Sequence, residues 1–307
     1  MAILDSKTLS AVLPRNIADG MIKKTLSTST VAKLSGQEPM KFGTVDILRF
    51  NNTVRAEFVE ENADKSSTVA AWDKVTAVPH KAQVTIRTSN EFMWADEDYQ
   101  LGVLDQVAEA GANALSRALD MGLYHRVNPH TGNVIASWTN YLTATKKTVT
   151  QGSADADADI RQAIGLVIED GTPITGLALD PKMAFALANL QCLSGGKPNG
   201  MPRYPELGFG TDITSFLGVK TAVGTTISGL PEAAKDTGVR AIVGDFADGI
   251  RWGVQRDLPL ELIPYGDPDG QGDLKRKNQI ALRLEIVYGW YVMEDRFALI
   301  KTAAVGG

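Results

Sequence analysis

The longest strictly alternating stretch lies near the end of the chain. There Ile280, Leu282, Leu284, Ile286, Tyr288, Trp290 and Val292 interleave with Ala281, Arg283, Glu285, Val287, Gly289 and Tyr291. A period of two predicts a β-strand, and from Asn278 to Val292 it would span about 50 Å at roughly 3.3 Å per residue. The strongest helical periodicity covers residues 96–126, DEDYQLGVLDQVAEAGANALSRALDMGLYHR, in which Leu101, Leu104, Ala108, Leu115 and Leu119 form one apolar stripe. Asp96, Glu97 and Asp98 stand where a helix end is partially positive, His125 and Arg126 stand at the negative end, and Asn128-Pro129 stops the run. Such a helix is about 45 Å long. A strand and a helix of matched length, each nearly as long as a compact protein of this size is wide, predict a flat, elongated body.

Shorter patterns fill in the rest. TVRAEFVE alternates Val54, Ala56 and Phe58 against Arg55 and Glu57. The polar tip ENADKSST follows, and the return runs through VAAWDKVTAV to QVTIRTS, which together predict a long charged hairpin. Two strands alone are marginal in water, so this hairpin needs a partner surface. Residues 1 to about 40 carry few large apolar side chains and read as an arm ordered by lying on something else. ADADADIRQAIGLVIEDGTPITG predicts a helix with Ala163, Ile164, Val167 and Ile168 as its apolar positions. TGLALDPKMAFALANL predicts a buried strand, a turn at Asp180-Pro181 and another helix. A Gly/Pro-rich loop from Gly195 to Gly210 precedes short strands in LGVKTAV and VRAIVGDF, and IRWGVQRD and LPLELIPYG read as two further strands. Strands and helices do not simply alternate, which predicts an α+β fold and not a doubly wound one.

Composition narrows the function more by exclusion than by indication. With 44% hydrophobic and 22% charged residues the chain is that of a folded protein, and no run approaches a membrane span. MAILDSKTLS lacks the basic start and apolar core of a signal peptide, which leads to the expectation of folding in the cytoplasm. The lone Cys192 rules out an internal disulfide and reads as a small buried residue. A net charge of −5 argues against a protein built to grip phosphates.

Candidate chemistry is sparse. His80, His125, His130 and Cys192 have no metal-ligand spacing, so no metal is expected. DPDGQGDLKRKN, from Asp267, begins like a calcium loop with Asp269 and Gly272 in place. Gln271 and Asn278 fail the later positions, and a polar turn is the expected reading. DADAD at 155–159 reads as helix capping. Neither a nucleotide fingerprint nor a nucleophile elbow is present, so no catalytic residue and no cofactor is expected. GDFADGIRWGVQRDLPLELIPYGDPD, residues 244–269, then reads as scaffold.

Several segments resemble one family. GDF with IRWGVQRDLPLELIPYGDPD, then NQIALRLEIVYGWYVMEDRFALIK, is similar to the C-terminal half of tailed-bacteriophage major capsid proteins, particularly those of phages infecting actinobacteria. AEFVEE, SNEFMWADED, LSRALDMGLYH, ALDPKMAFALANL, GKPNGMPRYPELGF and LGVKTAV occur in the matching order, so the likeness covers nearly the whole chain.

The resemblance implies the Hong Kong 97 capsid fold. It assigns residues 1–49 to an N-terminal arm and the start of a peripheral domain, 50–88 to an extended loop (E-loop) and 89–134 to the peripheral domain with its spine helix. It further assigns 135–265 to an axial domain, 266–293 to the long peripheral strands and 294–307 to a strand returning to the axial domain. Arg55, Glu57, Phe58, Glu60, Lys65, Trp72 and Lys74 become the expected inter-subunit contacts of the E-loop. Leu101, Leu104, Ala108, Leu115 and Leu119 become the core of the spine helix.

The implied function is structural and non-enzymatic: hexamers and pentamers closing an icosahedral shell around double-stranded DNA held without sequence-specific binding, in a virion assembled in the host cytoplasm. An encapsulin-like cargo compartment shares the fold and is the alternative. The implied partners are further copies, a portal, a separate scaffold protein and an optional cement protein, with no membrane. The arm opening at residue 1 is the ground for expecting a separate scaffold, or else a processed form of the chain. Lys65 and Lys74 have no matching Asn and activating Glu, so noncovalent assembly is expected over Lys–Asn crosslinks.

Overall fold

The computed structural model describes residues 28–40, 43–50, 56–61, 64–67, 72–94, 97–152, 155–194, 196–210 and 212–303. In chain order its first elements are α1 (Thr30–Leu34), β1 (Val45–Phe50), β2 (Trp72–Ser89), α2 (Glu97–His125), β3 (Thr148–Thr150), α3 (Ala156–Ile168), β4 (Gly176–Leu179) and α4 (Pro181–Ala188). There follow β5 (Gln191–Ser194), β6 (Lys197–Pro202), β7 (Ser215–Phe216), β8 (Val219–Val223), β9 (Val239–Gly244), β10 (Ile250–Ile263), β11 (Gln279–Val292) and β12 (Phe297–Lys301).

The alternating C-terminal stretch becomes β11, at the heart of a four-stranded antiparallel sheet ordered β1-β2-β11-β10. Its even-numbered side chains, Leu282 through Val292, are buried in the same core as Ala108, Leu115, Leu119 and Leu123 of α2. Period-two and period-3.6 stripes of equal length therefore close on one another, each removing the other's apolar face from water. The Tyr288 hydroxyl donates to the Leu115 carbonyl at 3.1 Å, so the one polar atom this aromatic brings into the core is satisfied.

The helix ends where Arg126, at φ 51°, turns the chain in the left-handed conformation. Its guanidinium donates to the carbonyls of Ala136 and Trp138 and lies over the Tyr141 ring. His125 does not play the dipole-compensating part expected of it. It is buried, its Nε2 lies 3.1 and 3.0 Å from the carbonyls of Thr226 and Ile227, and burial pushes its pKa down to about 4, so the ring is neutral.

A second sheet of six strands, β3-β12-β9-β4-β8-β7, is mixed: β12 runs parallel to β3, and β4 to β8. Asp180 caps α4 by accepting from the Lys182 amide at 2.9 Å, as Asp-Pro before a helix predicts. From α3, Ile160, Ala163 and Val167 enter the core of this second body, whereas Ile168 is 57% exposed. Ile168 closes the helix one residue past Val167, and the stripe has by then rotated to solvent.

Four further expectations are corrected. IRWGVQRD and LPLELIPYG are one strand, β10, with register shifts at Val254/Arg256 and Leu258/Glu261, because irregular pairing lets one long strand follow β11. The same pairing puts residues 250–263 in the four-stranded sheet, not with the axial segment that was to end at 265. The Gly/Pro-rich loop contains a small hairpin, β5–β6, on which Cys192 is only partly buried. Among the described residues no helix is long and apolar enough to cross a membrane.

Candidate functional site

Outside the two cores lies the β1–β2 hairpin. Strand β2 has two partners in succession: Trp72–Ala77 pair with β1, and Val78–Ser89 pair with β11. The hairpin therefore runs past the end of the main sheet as a two-stranded ribbon, the marginal state that needs a further surface. Its outgoing strand is Val45–Phe50, not the TVRAEFVE segment: Ala56–Glu60 is exposed and has no sheet pairing among the described residues. The segment alternates as a strand does, but among the described residues no strand pairs with it.

Side chains on the ribbon divide by whether they are already engaged. Lys74 pairs with Asp46 across the two strands at 2.7 Å, and Thr76 donates to the same carboxylate at 2.8 Å. Glu57 accepts from the Ser66 amide at 2.6 Å and the Ser66 hydroxyl at 2.7 Å, which folds the loop back on itself. Glu60 and Lys65 are exposed. Leu48, Phe58 and Trp72 are 67%, 110% and 60% exposed, a concentration of large apolar surface that isolated domains rarely show. Arg55 and the Leu101 side chain lie outside the described residues. Of the spine-helix stripe, Ala108, Leu115 and Leu119 are buried and Leu104 packs partly against the same core.

A second surface involves the arm, and sequence reasoning missed it. Residues 28–38 are seated on their own body: Val31 and Leu34 of α1 enter the main core, and Trp252 Nε1 donates to Ser35 Oγ at 3.0 Å. Only residues 1–27 of the expected arm lie outside the described residues. The anchor is Asp120 on α2, wholly buried. Its carboxylate accepts from the Ser29 hydroxyl, the Thr30 amide and hydroxyl at 2.9 and 2.8 Å, and the Thr226 hydroxyl at 2.7 Å. Burial raises its pKa, and these donors oppose the rise by favouring the charged form. The signal in the sequence was an acidic residue between Leu119 and Met121, on an otherwise apolar turn.

Past the anchor, the arm crosses the sheet where Gly253 of β10 faces Gly289 of β11. A Cβ on Gly253 would stand 2.0 Å from the Glu38 carbonyl, and one on Gly289 would stand 2.7 Å from Met40 Sδ. The Glu38 amide donates to the Trp252 carbonyl at 2.9 Å, which fixes the crossing.

The acidic motifs resolve as structure. Asp157 receives Arg203 at 3.0 and 3.1 Å and the Tyr204 hydroxyl at 2.9 Å, and Asp159 accepts from the Gly152 amide at 3.0 Å. Asp155 is the N-cap residue but makes no side-chain cap bond, so DADAD ties α3 to distant segments and does not cap it. In the Asp267 turn the cation is Arg87, whose guanidinium binds Asp269, Asp267 at 3.1 Å and the Gly272 carbonyl at 2.9 Å. That pairing holds the Asp269 carboxyl down to about 2. His80 packs against both Trp138 and Trp290, ring centroids 3.9 and 4.4 Å away, and burial pushes it down to about 4. Among the described residues no cluster of three His, Cys, Asp or Glu side chains could hold a metal.

The geometry is thus that of a two-sheet body with a ribbon projecting from one end that carries both exposed apolar and charged side chains. The family profile described as "Phage capsid family" matches residues 10–300. The chain belongs to the phage capsid family. Among solved structures it is similar to that of Mycobacterium phage Ogopogo, at TM-score 0.80 and 42% identity over 90% of this chain and 92% of that one. It is also similar to that of Gordonia phage Cozz, at TM-score 0.75 and 29% identity over 90% and 87%. The capsid of a native GTA particle, at TM-score 0.58 and 16% identity over 91% of each chain, shares the fold. No match was found among curated proteins. Phage capsid chains of this group have the α+β Hong Kong 97-like fold, and the mixed helix-and-strand architecture here is that fold.

Proposed function

We propose that this chain, a major capsid protein, forms the wall of an icosahedral phage shell in which hexamers and pentamers enclose double-stranded DNA. The observation that carries the reading is the 42% identity with the Mycobacterium phage Ogopogo structure over nine-tenths of both chains. In this reading residues 1–49 are the arm and the start of the peripheral body, and 50–88 are the E-loop. Residues 89–134, 250–263 and 266–293 build the peripheral body, and the axial body takes the segments around the six-stranded sheet, to which 294–307 return. The E-loop would gain its missing partner surface from a neighbouring copy, since large interfaces stabilise segments too thinly packed to stand alone.

The chain carries 31 basic against 36 acidic residues, which supports enclosing DNA over gripping it. Subunits join without covalent links, a portal and a scaffold protein assist, and the finished protein resides in the virion after assembly in the host cytoplasm. Electron microscopy of the purified protein tests the reading. Hollow polyhedra or hexameric rings are expected, with DNA in particles taken from virions, and monomers alone at millimolar concentration overturn it. Particles holding enzyme cargo and no genome would favour a cargo compartment. Ladders of linked subunits on a denaturing gel would contradict noncovalent joining.

A further inference from the structure

We propose that Asn199 is a self-modifying site, at which the Gly200 amide nitrogen attacks the Asn199 side chain and converts it to aspartate and iso-aspartate. The reaction needs water and no second copy, so it stands apart from the shell reading.

Asn199 is the chain's sole asparagine followed by glycine. With no side chain on that glycine, nothing shields the attacking nitrogen. Both residues lie on β6, which is exposed along its whole length. Pairing with β5 fails at this point: between the Gln191↔Pro202 and Leu193↔Pro198 pairs, β5 supplies Cys192 alone, whereas β6 supplies Asn199, Gly200 and Met201. The extra residues bulge from the ladder and are free to move relative to it. Gly200 sits at φ 79° in open space, and its amide donates to Gln191 Oε1 at 3.3 Å, a long bond that is readily given up. Asn199 Oδ1 accepts from the Met201 amide at 3.0 Å. That bond reaches over Gly200. It folds the carboxamide onto the intervening peptide, toward the Gly200 nitrogen, and puts a donor on the oxygen that becomes negative during attack.

Hydroxide removes the Gly200 N–H proton, and the nitrogen forms a bond to Asn199 Cγ. The Cγ–Nδ2 bond breaks, and Nδ2 leaves as ammonia with a proton from water, which regenerates the hydroxide. The product is a succinimide ring. Water opens it at either carbonyl, giving aspartate where the original main chain is restored and iso-aspartate where the main chain now runs through the former side chain. Nothing is oxidised or reduced. Each event adds a negative charge to a chain of net charge −5, and the iso form lengthens the backbone by a methylene within the bulge. Related sites among the described residues are held back. Aspartate precedes glycine at 170, 248 and 269, but an ionised carboxylate is a poor electrophile, and each is held by a cation, Lys147, Arg251 and Arg87 respectively. The Asn140 carboxamide is bonded at both ends to the Val292 backbone.

Mass spectrometry of the full chain, aged at mildly alkaline pH, tests the site. The tryptic peptide 183–203 should gain about one mass unit as NH2 is replaced by OH, and fragmentation should place the gain at Asn199 and not at Asn189. The rate should rise by about tenfold per pH unit, because the nucleophile is the deprotonated amide. Gly200→Ala, whose methyl is disfavoured at positive φ and hinders the approach, should slow conversion by about tenfold, and Asn199→Gln, which needs a larger ring, should end it. A further comparison needs no variant: conversion in the folded parent should run within about threefold of its rate in guanidinium chloride, since the bulge leaves the pair nearly as free as in an unfolded chain. A folded rate below that range, a rate indifferent to pH, or Gly200→Ala converting as fast as the parent overturns the proposal, and none of these outcomes touches the shell reading.

Discussion

Asp120 and His125 lie on neighbouring turns of α2 and face the same loop from below. Thr226 donates its hydroxyl to Asp120 while its carbonyl accepts from His125. Both groups are buried with no ion-pair partner among the described residues, so each resists its charged form by desolvation. For His125 the folded pKa of about 4 lies below the ordinary 6.5, so the unfolded chain binds the proton more readily. Its contribution is complete above pH 6.5 and is lost as pH falls toward 4, an effect of about 3 kcal/mol. Asp120, with its pKa raised, acts in the opposite sense where the ranges overlap, so the informative quantity is a difference. Urea unfolding of the purified subunit at stepped pH should show a steeper loss of stability between pH 6.5 and 4 than His125→Gln shows. Equal slopes would mean the ring is charged or solvated when folded. Sequence reading placed His125 at a helix end and assigned it the dipole, because position along a helix is visible in a sequence and burial of its last turn is not.

At the scale of elements, the long helix and the long strand were legible almost to the residue, since each is an amphipathic pattern sustained over many turns or pleats. What escaped was pairing. TVRAEFVE alternates as a strand does, yet the strand that pairs with β2 is VDILRF, Val45–Phe50. Alternation states which face a residue takes, and the register between strands depends on which segments meet. The glycine pair at 253 and 289 likewise has no reading until β10 and β11 stand side by side and the arm crosses over the face of both. Gly253→Ala puts a methyl against the Glu38 backbone carbonyl, which has no flexible end to yield, and should cost about 2 kcal/mol. The expected signature is local: hydrogen exchange of the Glu38 amide should quicken by about tenfold or more while amides of β11 keep their protection. Uniform loss of protection across β11 would show that the glycine serves the sheet and not the arm.

At the scale of the whole molecule, two sheets that share the main core, the six-stranded one with a second core of its own, leave one ribbon and its loop without a surface of their own. Limited proteolysis of dissociated subunits should cut first within residues 56–67, leaving the body from residue 72 onward intact, and assembled particles should resist at the same site by about a hundredfold in rate. Equal cleavage in both states would place that loop on the outside of the shell, away from any neighbour. The sequence by itself determined the class of fold, the two long elements and the absence of any recognisable catalytic motif, because periodicity and motif spacing are local properties of the chain. Only the tertiary structure decided that Asp120 anchors the arm, that Arg87 pairs with the acids of the Asp267 turn, and that DADAD holds Arg203 and Tyr204. In each case a charged or polar side chain is satisfied by a partner far away in sequence, and such distances close only when the chain packs.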